Sequence, residues 1–309
     1  MKQLSVVIPV YKSGSGLLEL YRRLSAALNV MEADWEIILI DDASNDGTFA
    51  HMLDIRKMDR RVKALRFARN MGQHHATLCG LKKSKGDIVV TLDDDLQHRP
   101  EDIIRLIKKV EEGFDLVIGS ISNSKKHNGL RNLGSRIVQR LAERIVGKPP
   151  NLSLTSFRAM SRRAADAVAS YTGTQTYLPA LMFGSIPADR IANVNIEHEA
   201  RAYGSSNYTL RRLVKLASFL LINHSYIPLR AVTIWGFILS AASFLYALWI
   251  FAHALIFGSA ATGWSSLAVI VSFLSGNILL CVGILGEYIG RLVEENANSR
   301  QFPILEDEF

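Results

Sequence analysis

The chain has 309 residues, 49% of them hydrophobic and 21% charged, with a formal net charge of +7. That length accommodates one large domain or two ordinary ones, and the composition excludes a disordered, collagen-like or disulfide-stapled protein. The charge is unevenly spread: positions 1–230 hold 34 basic and 23 acidic residues (+11), the remainder two and six (−4), and the 56 residues between Arg230 and Glu287 carry no formal charge.

In chain order, apolar runs predict strands at 4–9, 36–40, 62–67, 87–92 and 115–119, with helical patterns near 16–30, 47–58, 73–84 and 101–112. This alternation predicts an α/β domain with a mostly parallel sheet covered by helices. The first apolar run is short and ends at a proline, so it reads as a strand and not as a signal peptide. Cys79 and Cys281 fall in different phases, so no disulfide is expected and a reducing compartment fits. From 208 to 226, Leu210, Leu213, Val214, Ala217, Leu220 and Leu221 share one helical face, with Arg211, Arg212 and Lys215 opposite. Such a basic amphipathic helix belongs in the headgroup plane of a membrane. Two spans follow, about 231–257 and 264–287, joined by a short uncharged turn. The Lys and Arg residues before the first span and Arg291 after the second place both flanks in the cytoplasm. The expected organisation is a cytoplasmic domain at 1–206, a juxtamembrane helix at 207–229, a two-helix transmembrane hairpin at 230–290 and a cytoplasmic tail at 291–309.

Parallel sheets bind ligands beyond the carboxyl ends of their strands. Those ends hold Pro9-Val10-Tyr11, Asp41-Asp42, Arg69-Asn70 and Asp93-Asp94-Asp95. Three adjacent carboxylates repel one another, and a divalent cation removes that cost; Mg²⁺ in particular is held by one or two carboxylates plus substrate phosphates. In an extended segment Asp93 and Asp95 share a target and Asp94 points elsewhere. The competing reading is a solvated acidic turn before the next helix. Asp46 and Gly47 suit the start of a helix, whereas Asp41 and Asp42 have no such structural task and are candidates to accept hydrogen bonds from a nucleobase or ribose. The Ser13–Gly16 stretch is not a Walker loop, because no Gly-Lys-Ser/Thr follows. Adjacent His74 and His75 cannot share a helix face, which argues against a metal pair. No stacking aromatics interleave the basic residues, so nucleic acid is not an expected partner.

Val7-Ile8-Pro9-Val10-Tyr11, the run Ile40 to Thr48, Arg69-Asn70-Met71-Gly72 and Leu92-Asp93-Asp94-Asp95-Leu96-Gln97 follow in a familiar order and spacing. With Phe157-Arg158-Ala159-Met160, the Gly204-Ser205-Ser206-Asn207-Tyr208 stretch and Gly286-Glu287-Tyr288-Ile289-Gly290-Arg291, they resemble the family-2 glycosyltransferases that load a sugar onto a polyprenyl phosphate. The Asn-Met-Gly-Gln-His stretch most resembles the aminoarabinose branch of that group. The resemblance implies the nucleotide-diphospho-sugar transferase (GT-A) fold followed by an interfacial helix and a membrane hairpin. It implies Pro9, Tyr11 and Asp41 or Asp42 around the base and ribose, with Asp94 in the donor-binding set. Asp93, Asp95 and Gln97 would hold Mg²⁺ or Mn²⁺ and the donor diphosphate, and Arg131 and Ser135 would grip the acceptor phosphate. The implied partners are a nucleotide-sugar (UDP-linked in the closer relatives), a polyprenyl phosphate and the lipid bilayer; some relatives are homotetramers. The implied place is the cytoplasmic face of the inner membrane, in lipopolysaccharide or other cell-envelope glycan modification.

The sequence departs from that pattern at several points. Lys12-Ser13 stands where Asn-Glu is usual, Ser156 where one branch has Asp, Asn207 where Lys is usual, and the Arg expected near Ile121 or Ser122 is absent. The missing Asp at 156 is compatible with catalysis, because a phosphate monoester is largely dianionic at neutral pH and attacks without losing a proton. An inverting single displacement is therefore expected. Two alternatives stand beside it. A processive polysaccharide synthase would resemble a Gln-x-x-Arg-Trp pattern, which is missing here, and a membrane-anchored nucleotide-sugar-binding protein without activity would be told apart by assay.

Overall fold

A computed structural model describes residues 2–14, 16–121, 147–149, 152, 155–174, 176–196, 227–257, 263–297 and 301–309. Five strands and four helices alternate along the first part: β1 (Gln3–Val10), α1 (Leu17–Asn29), β2 (Asp34–Asp41), α2 (Thr48–Met58), β3 (Val62–Phe67), α3 (Gln73–Lys83), β4 (Ile88–Thr91), α4 (Ile103–Glu111) and β5 (Leu116–Ile121). After them come β6 (Arg158–Ser161), α5 (Arg162–Ala169), α6 (Leu178–Ser185) and β7 (Ile191–Ile196). Two long helices, α7 (Ile227–Phe257) and α8 (Trp264–Ala297), precede a last strand, β8 (Ile304–Glu308).

The strands form one sheet in the order β7-β5-β6-β4-β1-β2-β3-β8. β4, β1, β2 and β3 run parallel, as do β5 and β7; β6 runs antiparallel to both β4 and β5, and β8 antiparallel to β3. The near-continuous apolar runs of β1 and β2 follow from burial on both faces. Leu4, Val6, Ile8 and Val10 face a core shared with α1, α2 and α4, while Val7, Ile38 and Ile40 face another shared with α3, α5 and α6. α4 shows how such a layer is built: Ile103, Leu106, Ile107 and Val110 are buried at helical spacing, and Arg105 and Lys108 are exposed. On the other face, α3 approaches so closely that a Cβ on Gly80 would lie 2.2 Å from Val7 Cγ1.

The chain divides into two compact units, Met1–Leu213 with Arg300–Phe309, and Val214–Ser299. In the second, α7 and α8 are long and apolar enough to cross a membrane: the windows Leu229–Tyr246 and Phe273–Gly290 each have a mean hydropathy of 1.5 and, among the described residues, none that is buried. Within this pair Trp235 Nε1 donates to Asn277 Oδ1 at 3.0 Å. α8 continues ten residues beyond the expected end of the second span at 287, and the segment expected only as a tail contributes β8 to the sheet of the first unit.

Candidate active site

The parallel strands β1 to β4 deliver four loops to one end of the sheet, and each contains a residue in the left-handed region of backbone space. Lys12 (φ 57°) follows β1, Ala43 (φ 60°) β2, Gly72 (φ 89°) β3 and Leu96 (φ 57°) β4. Lys12, Ala43 and Leu96 are the positive-φ residues other than glycine among the described residues. Such strain persists only where surrounding contacts over-determine it, and it gathers at functional sites.

The contacts that hold these loops are made by the acidic residues. Asp94 accepts from Tyr11 N at 3.1 Å and from the Ser13 hydroxyl, tying the β4 loop to the β1 loop. Asp93 turns the other way, where Gln73 Nε2 donates to its Oδ1 and the Ser156 hydroxyl to its Oδ2. Asp95 accepts from Gln97 N at 3.1 Å. Asp93 and Asp94 thus diverge through a turn at Asp94-Asp95, and not along the extended segment from which the sequence reading argued. Burial pushes the Asp93 carboxyl up to about 6; donation from Ser156 works against that, and the Asp95 and Asp94 charges add to it. Burial raises Asp94 as well, opposed by donation from Ser13 and Tyr11 N. Among the described residues no three His, Cys, Asp or Glu side chains converge as a metal cage. A pair of crowded carboxylates whose ionisation is disfavoured does fit a cation that arrives with phosphate oxygens of its own.

Ser156 is brought here by strand direction. Because β6 runs antiparallel to β4, the residues just before β6 lie beside the carboxyl end of β4; Thr91 Oγ1 donates to the Ser156 carbonyl at 2.6 Å. The next residues carry Arg158, buried at 6% exposure, whose Nε donates to the Thr155 carbonyl. Burial lowers its pKa to about 10, with the Asp93 charge opposing, so it remains a cation at neutral pH. Pro9, Gln73, His74, Asp93, Ser156 and Arg158 line one cavity. His74 packs edge-on against Tyr177 with centroids 5.0 Å apart, and burial holds its pKa down to about 4, so the imidazole is neutral.

Asp41 and Asp42 are almost fully buried, and each has the structural task that the sequence reading denied it. Asp42 accepts from Met71 N at 2.6 Å and Gly72 N at 2.8 Å, fixing the turn into α3; burial nonetheless raises its pKa. Asp41 Oδ1 accepts from Ser44 N at 3.0 Å, and Oδ2 lies 3.3 Å from Arg66 Nε without a hydrogen bond. The physical reason is shared: a chain that turns sharply at a strand end leaves its N–H groups without ladder partners, and a carboxylate satisfies them. Asp46 behaves as expected, accepting from Thr48 N at 3.1 Å at the start of α2.

Of the expected site residues, Pro9 and Asp41 lie at the carboxyl ends of β1 and β2, and Tyr11, Asp42, Asp93, Asp94, Asp95 and Gln97 lie on the loops that follow the strands at this end of the sheet, with Tyr11 47% exposed. Arg131, Ser135 and residues 207–226 of the expected amphipathic helix lie outside the described residues. Gln73 and Arg158 entered the sequence reading only within stretches that carry the resemblance and were given no site role. Gln73 opens α3 directly after the left-handed Gly72, which is the one local signal that its side chain faces the strand ends.

The chain matches the model of glycosyl transferase family 2 over residues 5–168. It is 34% identical over 306 residues to the undecaprenyl-phosphate 4-deoxy-4-formamido-L-arabinose transferase of Klebsiella pneumoniae, a match covering 98% of this chain and 93% of that protein. Among solved structures it resembles glucosyl-3-phosphoglycerate synthase from Mycobacterium tuberculosis in complex with phosphoglyceric acid, with a TM-score of 0.52 and 20% identity over 72% of this chain and 80% of that one. The same synthase in complex with Mn²⁺, UDP-glucose and phosphoglyceric acid gives 0.51 and 20%, over 71% and 79%. These structural likenesses establish the GT-A fold. A family match over more than half the chain and a relative matched over 93% of its length establish more: the protein is a member of glycosyl transferase family 2, a glycosyltransferase.

Proposed function

We propose that this glycosyltransferase moves a sugar, with inversion, from a UDP-linked donor to the phosphate of a polyprenyl carrier at the cytoplasmic face of a membrane. The observation that carries the reading is the carboxylate cluster after β4, where half-buried Asp93 is crowded by two further acids and its pKa is raised to about 6. An anionic donor brought in with a divalent cation relieves that arrangement. Supporting it, the Klebsiella relative is named for undecaprenyl phosphate, and α7 and α8 have the length and apolarity of membrane spans. A polyprenyl phosphate stays in its bilayer, so a transferase that uses it gains from being moored there.

In this reading Asp93 and Asp95, with Gln97, hold Mg²⁺ or Mn²⁺. The ion supplies charge neutralisation to the donor diphosphate, so that it leaves more readily. Pro9, the exposed Tyr11 ring and the Asp41–Ser44 loop form the wall for base and ribose, and Asp42 and Asp94 hold the neighbouring loops in register. Ser156 and Gln73 orient Asp93, and buried Arg158 keeps a positive charge behind it. An oxygen of the acceptor phosphate attacks the anomeric carbon as the bond to the diphosphate oxygen breaks, and the electron pair leaves with UDP. The acceptor is already dianionic, so no protein base takes a proton. Arg131 and Ser135 are assigned to the acceptor phosphate.

The test is a donor panel. Membranes containing the protein are supplied with labelled UDP-, GDP- and dTDP-sugars and undecaprenyl phosphate. Label extractable into organic solvent is expected from a UDP-sugar, and it disappears in Asp95→Asn. Absence of organic-phase label with every donor, while nucleotide still binds, overturns the reading.

A further inference from the structure

The acidic end of the chain is built into the catalytic sheet. β8 pairs antiparallel with β3, matching Ala64 to Glu308, Leu65 to Asp307, Arg66 to Glu306 and Phe67 to Ile304. The approach to the strand is secured before pairing begins. Gln301 Nε2 donates to the Tyr171 and Gly173 carbonyls at 3.1 and 2.8 Å, Phe302 stacks on Phe67, and Ala68 N donates to the Pro303 carbonyl at 2.7 Å. Alternation along the strand then sends its charges to opposite faces. Asp307 meets Lys83 of α3 at 2.7 Å, while Glu306 and Glu308 meet Arg66 and Arg56 at 3.3 and 3.5 Å.

Arg66 is the consequential partner. Its Nη1 faces Glu306 Oε1, its Nη2 donates to the Ser44 carbonyl at 2.8 Å, and its Nε lies 3.3 Å from Asp41 Oδ2. One guanidinium therefore joins the tail strand to the buried carboxylate and to the loop containing strained Ala43. That loop also holds the β1 loop, because Lys12 N donates to Ser44 Oγ at 2.9 Å. Asp41 is wholly buried, and its Oδ2 has no hydrogen bond. The position of Arg66 thus sets both the charge balance and the geometry of the Asp41–Ser44 loop.

We propose that Glu306 is a positioning residue for donor binding: by holding Arg66 against Asp41 and the Ser44 carbonyl, it fixes the loop on which the nucleotide rests. This rests on assigning that loop to the nucleotide. It makes the last strand part of the donor-site wall and not merely cover for the edge of β3. Glu306 acts on the ground-state fit of the donor, so its loss raises KM and leaves kcat unchanged.

The full-length protein in lipid-detergent micelles with Mn²⁺ provides the test, through titration with UDP and in parallel GDP, and through KM and kcat for the sugar donor. Asp41→Asn comes first. If the wild type binds neither nucleotide, or if Asp41→Asn leaves binding unchanged, the donor-site assignment falls and takes this inference with it. Given weakened binding in Asp41→Asn, Glu306→Ala is expected to raise the nucleotide Kd and donor KM about three- to fivefold, the range of a partly exposed ion pair. Glu306→Gln, which can still accept from Arg66, recovers part of the loss. Asp307→Ala removes an ion pair of the same strand on the face away from Arg66 and is expected to leave KM unchanged. Equal KM in Glu306→Ala and wild type, or an equal rise in Asp307→Ala, overturns the inference while the donor assignment stands.

Discussion

The two ends of the parallel sheet both bury acidic side chains, and they treat them in opposite ways. At the amino end, Glu36 of β2 accepts from the Ser5 hydroxyl at 2.6 Å, Lys63 Nζ at 2.6 Å and Lys85 N at 2.9 Å, and Ser5 Oγ in turn accepts from Gly86 N at 2.8 Å. Burial opposes ionisation there, but Lys63, Ser5 and the Lys85 amide prevail and hold the carboxyl below its usual range. At the carboxyl end, burial prevails at Asp42, Asp93 and Asp94 and pushes all three up. The backbone differs in the same sense, since Lys12, Ala43 and Leu96 all lie at the carboxyl end. An acid that the fold satisfies is there to hold the sheet together. Asp42 holds the turn into α3 even so, and the crowded Asp93, reluctant to ionise, is the acid that the proposed function assigns to a cation.

Removing an acid from each end should separate activity from stability. Asp93→Asn is expected to lower the transfer rate by about 10²–10³-fold, since the proposed function has that charge organise the leaving diphosphate. Its melting temperature without metal should not fall, because a costly buried charge has been removed. Organic-phase label from the donor assay and a thermal melt of the same preparation check both halves. A variant that loses stability together with activity would erase the distinction between the two ends.

Glu36→Ala is the converse. It strands the largely buried Lys63 ammonium and the Ser5 hydroxyl, and breaking such a pair from one side costs about 3 kcal/mol. Denaturant unfolding should show that loss, with donor KM unchanged in the fraction that remains folded. Because the folded-state pKa of Glu36 is depressed, its contribution is present above the unfolded carboxylate range and is lost as pH falls through the folded value. The stability gap between wild type and Glu36→Ala should therefore narrow on acidification.

The sequence made the first five strands and four helices legible because both sheet faces are buried and the helical stripes are regular. β6 was missed: it is four residues long, starts at a charged Arg158, and is defined by antiparallel pairing with β4 and β5 and not by any local pattern. β8 was hidden more deeply. Ile-Leu-Glu-Asp-Glu is exposed along its whole length and reads as a solvated tail, until Arg66, Lys83 and Arg56 from more than 200 residues away supply the complementary charge. The site divides in the same manner. Three consecutive aspartates stand out in a sequence, but Gln73 and Ser156 reach Asp93 from a helix start and from the approach to β6, a contact that only topology creates. Asp41 and Asp42 were legible as residues of a strand end and misread as free ones, because the N–H groups they satisfy appear only once the chain turns.

The finest comparison lies within Asp93 itself, where the proposed function sets a proton against a cation for one carboxylate. Its pKa of about 6 is raised above the unfolded value by burial, so the apo protein holds that proton through the mildly acidic range. A metal bound there as proposed would have to displace it. The apparent Mn²⁺ affinity should therefore weaken about tenfold for each pH unit below about 6 and level off above it, a slope set by one released proton. Ser156 tunes this balance. Its hydroxyl donates to the carboxylate and favours the ionised form, so Ser156→Ala should carry the break in the profile to higher pH without changing its slope. Titrations of Mn²⁺ without nucleotide, whose own terminal phosphate titrates in the same range, read both quantities between about pH 5 and 8. A profile that stays flat through this range would mean that Asp93 is not where the cation binds, and an unmoved break in Ser156→Ala would mean that the hydroxyl serves packing alone.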